Sequence, residues 1–149
     1  MAKVMMSKEE IQAKVGVNLF LSFWVMLVVN VLVIFLAHLL FPMGVVLGTH
    51  SLSMSWALIL SMSLLSLLCV WGMQCVAYHE WRRGKEYSPK DWMVMYFVLD
   101  VVSVWVIARF ASHLGFGIAH WWVALLLGVV LDFVQGISMM GLGKVLFLK

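Results

Sequence analysis

The chain has 149 residues, of which 64% are hydrophobic and 11% are charged, and its formal net charge is +3. This composition excludes a water-soluble globular domain, because a chain of this length cannot bury so much apolar surface in its own interior. A membrane-spanning helix needs about 20 apolar residues, and four such stretches lie at residues 17–41, 55–78, 92–110 and 121–142. We therefore predict an all-α fold, an integral membrane four-helix bundle in which residues 1–149 form a single transmembrane domain.

The segment before the first span carries a helix-start signal. Ser7 and Glu10 have the spacing of a capping box, in which each side chain bonds the backbone N–H of the other residue. This pattern predicts a short N-terminal interfacial helix that runs into the first span. The apolar run of that span, about 25 residues, is longer than the apolar region of a signal peptide, so we expect it to stay in the mature protein.

The loop between the first two spans, residues 42–54, is unusually apolar. It is expected to be an interfacial turn or, alternatively, a loop that dips back into the protein, since irregular backbone at membrane depth needs protein or water around it. The second span contains Cys69 and Cys75, whose six-residue separation fits neither a C-x-x-C motif nor a disulfide within one helix. We expect both to be small buried hydrophobic residues.

The third span has a clear beginning. Ser88 is placed as an N-cap, Pro89 as the first helical residue and Asp91 near the positive end of the helix. Tyr87 and Trp92 have the spacing of a hydrophobic staple across the helix start.

Basic residues are distributed unevenly between the two sides of the predicted bundle. Only Arg109 lies near one side, whereas nine basic residues lie on the other, namely Lys3, Lys8, Lys14, Arg82, Arg83, Lys85, Lys90, Lys144 and Lys149. Because cytoplasmic loops are rich in Lys and Arg, this asymmetry predicts a multi-pass protein of the inner or plasma membrane with both termini in the cytoplasm. The basic pI follows from this topology; the predicted partner is the lipid bilayer, with no nucleic acid.

Two acidic residues, Asp100 and Asp132, lie inside apolar spans at a similar depth, with Asn30 within about one helical turn of that level and Gln135 somewhat nearer the cytoplasmic side. Gly128, Asp132, Gln135 and Gly136 share one stripe of the fourth span. Small residues allow close helix approach and polar side chains bond across the contact, so we predict that this stripe packs against protein, with Asp100 as its neighbour.

The two acids have two interpretations. In the structural interpretation they bond to neighbouring polar side chains and specify helix packing. In the functional interpretation they form a proton or cation site that is loaded and emptied during transport.

Arg109 cannot pair with Asp100, because nine residues place the two on opposite faces of one helix. We expect it at the outer interface, stacked on Trp105, with an intersubunit or vestibule role as the alternative. Four histidines, which could sense pH or bind metal, also map to the outer side, namely His38, His50, His113 and His120. Their spacing favours interfacial residues without a special role, and neither metal nor cofactor is predicted.

The chain contains no H-E-x-x-H, G-x-S-x-G or C-x-x-C motif, so no enzymatic activity is predicted. The expected function is a non-catalytic accessory or scaffold subunit, or a self-associating membrane protein, present as a homo-oligomer or within a membrane complex. The alternative is a small proton- or cation-coupled transporter or channel that uses Asp100 and Asp132.

Overall fold

The structure is a computed structural model that describes the backbone of residues 8–84 and 87–147 and the side chains of residues 16–84 and 87–141. Within these residues the protein is predominantly helical, and four helices are long and apolar enough to cross a membrane. The predicted capping box at Ser7 lies outside the described residues. In chain order the elements are α1 (Lys8–Leu40), β1 (Val45–Leu47), α2 (Met54–Arg83), α3 (Pro89–Arg109), α4 (Ala111–Leu114), β2 (Phe116–Ile118) and α5 (Trp121–Phe147).

Three helices extend five or more residues beyond the predicted spans, α1 at its start and α2 and α5 at their ends. From Lys8 onward, α1 is one continuous helix, so the predicted N-terminal helix is its first turns and not a separate element. α2 continues to Arg83 and ends where Gly84 adopts a left-handed backbone with φ 61°. A residue with a Cβ is disfavoured in that conformation, which explains why the helix stops at a glycine.

The predicted start of α3 is confirmed. Ser88 Oγ accepts from the Asp91 backbone N–H at 3.3 Å, and Asp91 Oδ2 accepts from the Ser88 backbone N–H at 3.0 Å. Tyr87 and Trp92 meet edge to face with ring centroids 6.3 Å apart. This reciprocal cap satisfies backbone donors that the first turn of a helix otherwise leaves without a partner.

The four long helices form a ring in the order α1, α2, α3, α5, and each packs against its two neighbours. Glycines allow two of these contacts to be close. A Cβ added at Gly72 would lie 2.8 Å from Leu99, and one added at Gly128 would overlap Val101 and lie 3.4 Å from the Val101 backbone nitrogen. The absence of a side chain at these glycines therefore allows α2 and α5 to pack close to α3.

The two loops at one end of the bundle pair with each other, so the fold is not purely α-helical. β1 and β2 form an antiparallel ribbon in which Val45 pairs with Ile118 and Leu47 with Phe116. Val45 and Phe116 are 1% and 0% exposed, so the ribbon covers this end of the bundle, which we call the ribbon end. Within the apolar loop 42–54, Val45 and Leu47 pack into the core at the helix ends, whereas Met43 and Val46 are exposed.

Polar contacts also hold the ribbon and its flanking loops in place. His38 Nδ1 donates to the Val45 carbonyl oxygen at 2.8 Å, and Ser61 Oγ donates to the Leu114 carbonyl oxygen at 3.1 Å. The backbone N–H of Gly48 donates to the Gly115 carbonyl oxygen at 2.7 Å. The first two bonds anchor the loops to α1 and α2, and the third joins the two loops to each other, so that backbone carbonyls outside the helices have partners.

Candidate functional site

A buried polar network lies about halfway along the bundle, and each of the four long helices contributes to it. α1 provides Asn30, α2 provides Ser66 and Cys69, α3 provides Asp100 and α5 provides Gln135. Every one of these side chains is no more than 4% exposed. At about 1.5 Å of rise per residue, Asp100 lies about 13 Å and Gln135 about 21 Å from the ribbon end of its helix.

The network has a defined sequence of donors and acceptors. Gln135 Nε2 donates to Asn30 Oδ1 at 2.8 Å and to Asp100 Oδ1 at 3.2 Å. Asn30 Nδ2 donates to Ser66 Oγ at 3.0 Å, and the Ser66 hydroxyl donates to the Met62 carbonyl oxygen at 2.7 Å. Because Gln135 uses both of its amide hydrogens, α5 is tied to α1 and α3 by one side chain.

Asp100 is only partly satisfied by this network. Its Oδ1 accepts from Gln135 and from the Cys69 thiol, whose Sγ lies 3.1 Å away. Its Oδ2 is buried and has no hydrogen-bond partner among the described residues. In either protonation state, this carboxyl group therefore has one oxygen in the core whose hydrogen-bonding capacity is unused, an arrangement that costs stability unless a proton, cation or water is bound there.

Asp132 occupies a different environment from Asp100. It lies close enough to Asp100 for the two groups to interact electrostatically, yet it is half-buried and forms no hydrogen bond or ion pair with a described residue. The structure thus brings Asp100, Asn30 and Gln135 into one hydrogen-bonded group and leaves Asp132 at its margin. The difference arises because Gln135 points into the ring of helices, whereas Asp132 is three residues earlier and lies at the edge of the outer face of α5, which is the face turned away from the other three helices.

The two glycines of the predicted stripe also separate. Gly128 is buried against Val101 and Phe97 of α3. Gly136 is exposed, and nothing lies within 4 Å of the position that its Cβ would occupy. Two turns of helix rotate the stripe by about 80°, which turns Gly136 away from α3. The expected close packing at Gly136 is therefore absent within this chain.

Arg109 and the four histidines that were expected on the outer side lie at the ribbon end. The predicted stacking is present: the Arg109 guanidinium carbon lies 4.6 Å from the centroid of the Trp105 ring. His38 bonds to β1, and His120 stacks on Trp122 with ring centroids 6.0 Å apart. Among the described residues, no three His, Cys, Asp or Glu side chains are grouped as a metal ion requires.

Sequence reasoning missed the contribution of α2. The expectation that both cysteines are small buried hydrophobic residues is wrong for Cys75, which is exposed, and it misses the Cys69 thiol as a hydrogen-bond donor to Asp100. Ser66 was not singled out at all. A signal was present, because the buried face of α2 carries small or polar residues at Ala57, Ser61, Cys69 and Gly72, whose spacings are close to whole helical turns.

Comparison with known proteins gives no further guide to this site. No family model matches the chain, and no curated protein or solved structure matches it. The geometry of the polar side chains is therefore the basis on which a function is proposed.

Proposed function

We propose that this protein is a non-catalytic membrane scaffold that associates with a second copy of itself through the outer face of α5. The observation that carries the proposal is the contrast between the two acids. Asp100 bonds to two other helices of its own chain, whereas Asp132 forms no hydrogen bond or ion pair with a described residue.

The buried network supports a structural role for the bundle core. Each interhelical hydrogen bond in a membrane protein contributes only about 0.6–2 kcal/mol, but a polar group left without a partner in hydrocarbon costs more. Because Gln135, Asn30 and Ser66 bond in one chain of contacts, rotating one helix breaks several bonds at once. The network thereby selects one arrangement of the four helices, the role expected of a rigid scaffold.

We expect Asp132 to have a partner outside the chain. An acidic side chain near the middle of a span costs about 2.5–3.5 kcal/mol on insertion scales when lipid surrounds it. Gly136 is exposed one turn further along α5, about 40° around the helix from Asp132, so another helix could approach closely at that point. A polar group beside an exposed small residue is the pattern of a helix–helix contact.

A second copy fits this face better than an unrelated helix. Two copies related by a two-fold axis along the membrane normal place their Asp132 side chains at the same depth. One carboxyl group can then donate a hydrogen bond to the other, so no basic residue at that depth is needed. The described part of the chain has no Lys or Arg between Gly16 and Glu80, and none within the middle of α3 or α5.

The proposal is tested by self-association in lipid vesicles, measured by energy transfer between labelled copies as the protein is diluted with lipid. Asp132→Leu, which removes the hydrogen bond, should raise the dissociation constant by about three- to thirtyfold. Asp132→Asn retains hydrogen-bonding groups and should associate much like the wild type. Gly136→Leu should weaken association, because its side chain keeps the two helices apart.

Val130→Leu is the matched control. Val130 is exposed on α5 about 160° around the helix from Asp132, so a larger side chain there should leave association unchanged. A wild-type protein that stays monomeric at every dilution contradicts the proposal. Equal effects of Gly136→Leu and Val130→Leu would also exclude this face as the contact.

For the orientation, we propose that both termini lie in the cytoplasm, because nine of the ten basic residues are on that side. Reporter fusions after residue 149 and within the α2–α3 loop should both be cytoplasmic, and one near Thr49 should be external. An external C-terminus would contradict this topology.

A second candidate function is proton or cation transport through Asp100. The observation that favours it is Asp100 Oδ2, which is buried and without a hydrogen-bond partner among the described residues. An acceptor in that state is a place where a proton or a small cation could bind and be released. Asp132 lies near enough to assist electrostatically.

Flux through reconstituted vesicles separates the two functions. If Asp100 carries transport, wild-type vesicles should conduct protons or a monovalent cation faster than protein-free vesicles, and Asp100→Asn should abolish the difference while leaving the fold intact. Asp132→Asn should reduce it less, because that group only assists. If the flux through wild-type vesicles is no faster than through protein-free vesicles, transport is excluded and the scaffold function remains the proposal.

A further inference from the structure

A cavity of about 340 Å³ opens at the ribbon end, where the last turn of α3 meets β2 and the start of α5. Trp105 and Arg109 of α3 line one side, and Ile118, His120 and Trp121 line the other. Its volume lies in the range of about 300–1,000 Å³ that is typical of small-molecule sites. The cavity is separate from the buried network and from the outer face of α5 that carries Asp132.

The charge around this cavity is positive and has no acidic counterpart. Residues 41–54 and 109–122, which form the ribbon end, contain no Asp or Glu. Arg109 therefore forms no ion pair with a described residue, and its described contact is the Trp105 ring, 4.6 Å from the guanidinium carbon. Stacking on an indole leaves the edge of the guanidinium group free to bind an anion.

The neighbouring groups add a hydrogen-bond donor and a favourable helix dipole. The His120 imidazole lines the cavity and is held against Trp122 by stacking, with ring planes 16° apart. α5 begins at Trp121, so the positive end of its dipole also lies at the cavity. A planar guanidinium donates two parallel hydrogen bonds, the geometry that matches a phosphate group.

We propose that this cavity binds a phosphate group, with Arg109 as the principal ligand and His120 as a second donor. The group could belong to a phospholipid or be free inorganic phosphate, since both present the same oxygens to the guanidinium. The surroundings fit a lipid, because exposed tryptophans at the ends of membrane spans lie at the level of phospholipid headgroups, and Trp105 and Trp121 flank the site.

The experiment measures binding to the full-length protein in mild detergent by native mass spectrometry, with phosphatidylglycerol and inorganic phosphate as separate probes. Arg109→Gln should weaken binding of the probe about tenfold or more, because a charge-assisted pair is lost. Arg83→Gln is the matched control, since it removes the same charge from an exposed residue at the opposite end of the bundle. A second pair, Arg109→Lys and Arg83→Lys, keeps the charge and tests the two-bond geometry; here only the Arg109 variant should weaken binding, by about threefold or more.

The probes identify the source of the phosphate. If phosphatidylglycerol binds and millimolar inorganic phosphate does not displace it, the site is a lipid site. If inorganic phosphate binds and excludes the lipid, the site is a free-anion site. Either result, with the expected loss in the Arg109 variants, upholds the proposal. Equal affinities for the Arg109 and Arg83 variants, or no bound probe in the wild type, would overturn it.

Discussion

The contact between α5 and α3 at Gly128 permits a test of close packing in which one methyl group is added. In Gly128→Ala the new Cβ would overlap Val101 Cγ2 and lie 3.4 Å from the Val101 backbone nitrogen and 3.5 Å from Phe97. Val101 cannot easily move away, because β-branched side chains in helices have one strongly preferred χ1 rotamer. Overpacking of this kind destabilises a protein by about 1–3 kcal/mol.

Alanine also favours the helix over glycine by about 1 kcal/mol, which would mask part of this cost. Gly141→Ala controls for that gain, since Gly141 lies in the same helix and nothing is within 4 Å of its added Cβ. The free energy of unfolding of Gly128→Ala should therefore be about 1–3 kcal/mol lower than that of Gly141→Ala. The measurement is unfolding by SDS in mild detergent, followed by far-ultraviolet circular dichroism.

A double variant locates the cause. Val101→Ala removes the overlapping methyl groups, so adding Gly128→Ala to it should cost much less than adding it to the wild type. Two glycine variants that unfold alike, within about 0.5 kcal/mol, would refute the reasoning that α3 and α5 are spaced by Gly128.

Two further predictions concern the end cap and the ribbon. Ser88→Ala should lower the free energy of unfolding by about 0.5–2 kcal/mol, because the first turn of α3 loses its reciprocal cap. Unfolding by SDS measures this difference, and an unchanged free energy of unfolding would show that the cap contributes nothing. Phe116→Ala should lower the free energy of unfolding by about 3–5 kcal/mol, because the ring is fully buried. Amide hydrogen exchange should then be faster at Gly48, whose N–H bonds to Gly115. Unchanged exchange at Gly48 would contradict the role of the ribbon as a packed cover.

Local patterns in the sequence were enough to predict the four long helices. Apolar length defines a span regardless of its neighbours, which is why the four spans were predicted to within a few residues, except at the far end of α2. The cap at Ser88 and the contact between Arg109 and Trp105 involve residues at most four positions apart, so backbone geometry alone places them together.

The contacts between elements were determined by the tertiary structure. Helical periodicity shows which residues share a face, but not how far the helix is rotated toward its neighbours. For this reason Gly128 and Gly136 could be assigned to one stripe, while only packing decides that the first contacts α3 and the second faces outward. The same rotation of α5 encloses Gln135 in the buried polar network and leaves Asp132 at the margin of that network.

The ribbon and the α2 part of the network were beyond the reach of sequence patterns for a related reason. Val45 pairs with Ile118, 73 positions away, through backbone groups that every residue possesses, so three-residue strands have no side-chain signature. Cys69 becomes a partner of Asp100 only because Gly72 brings α2 close to α3. The sequence by itself determined the number of long apolar helices, their approximate bounds and the level of each polar residue along its helix. Which polar side chains bond and which face outward depends on the relative rotation of the helices, which only tertiary packing determines.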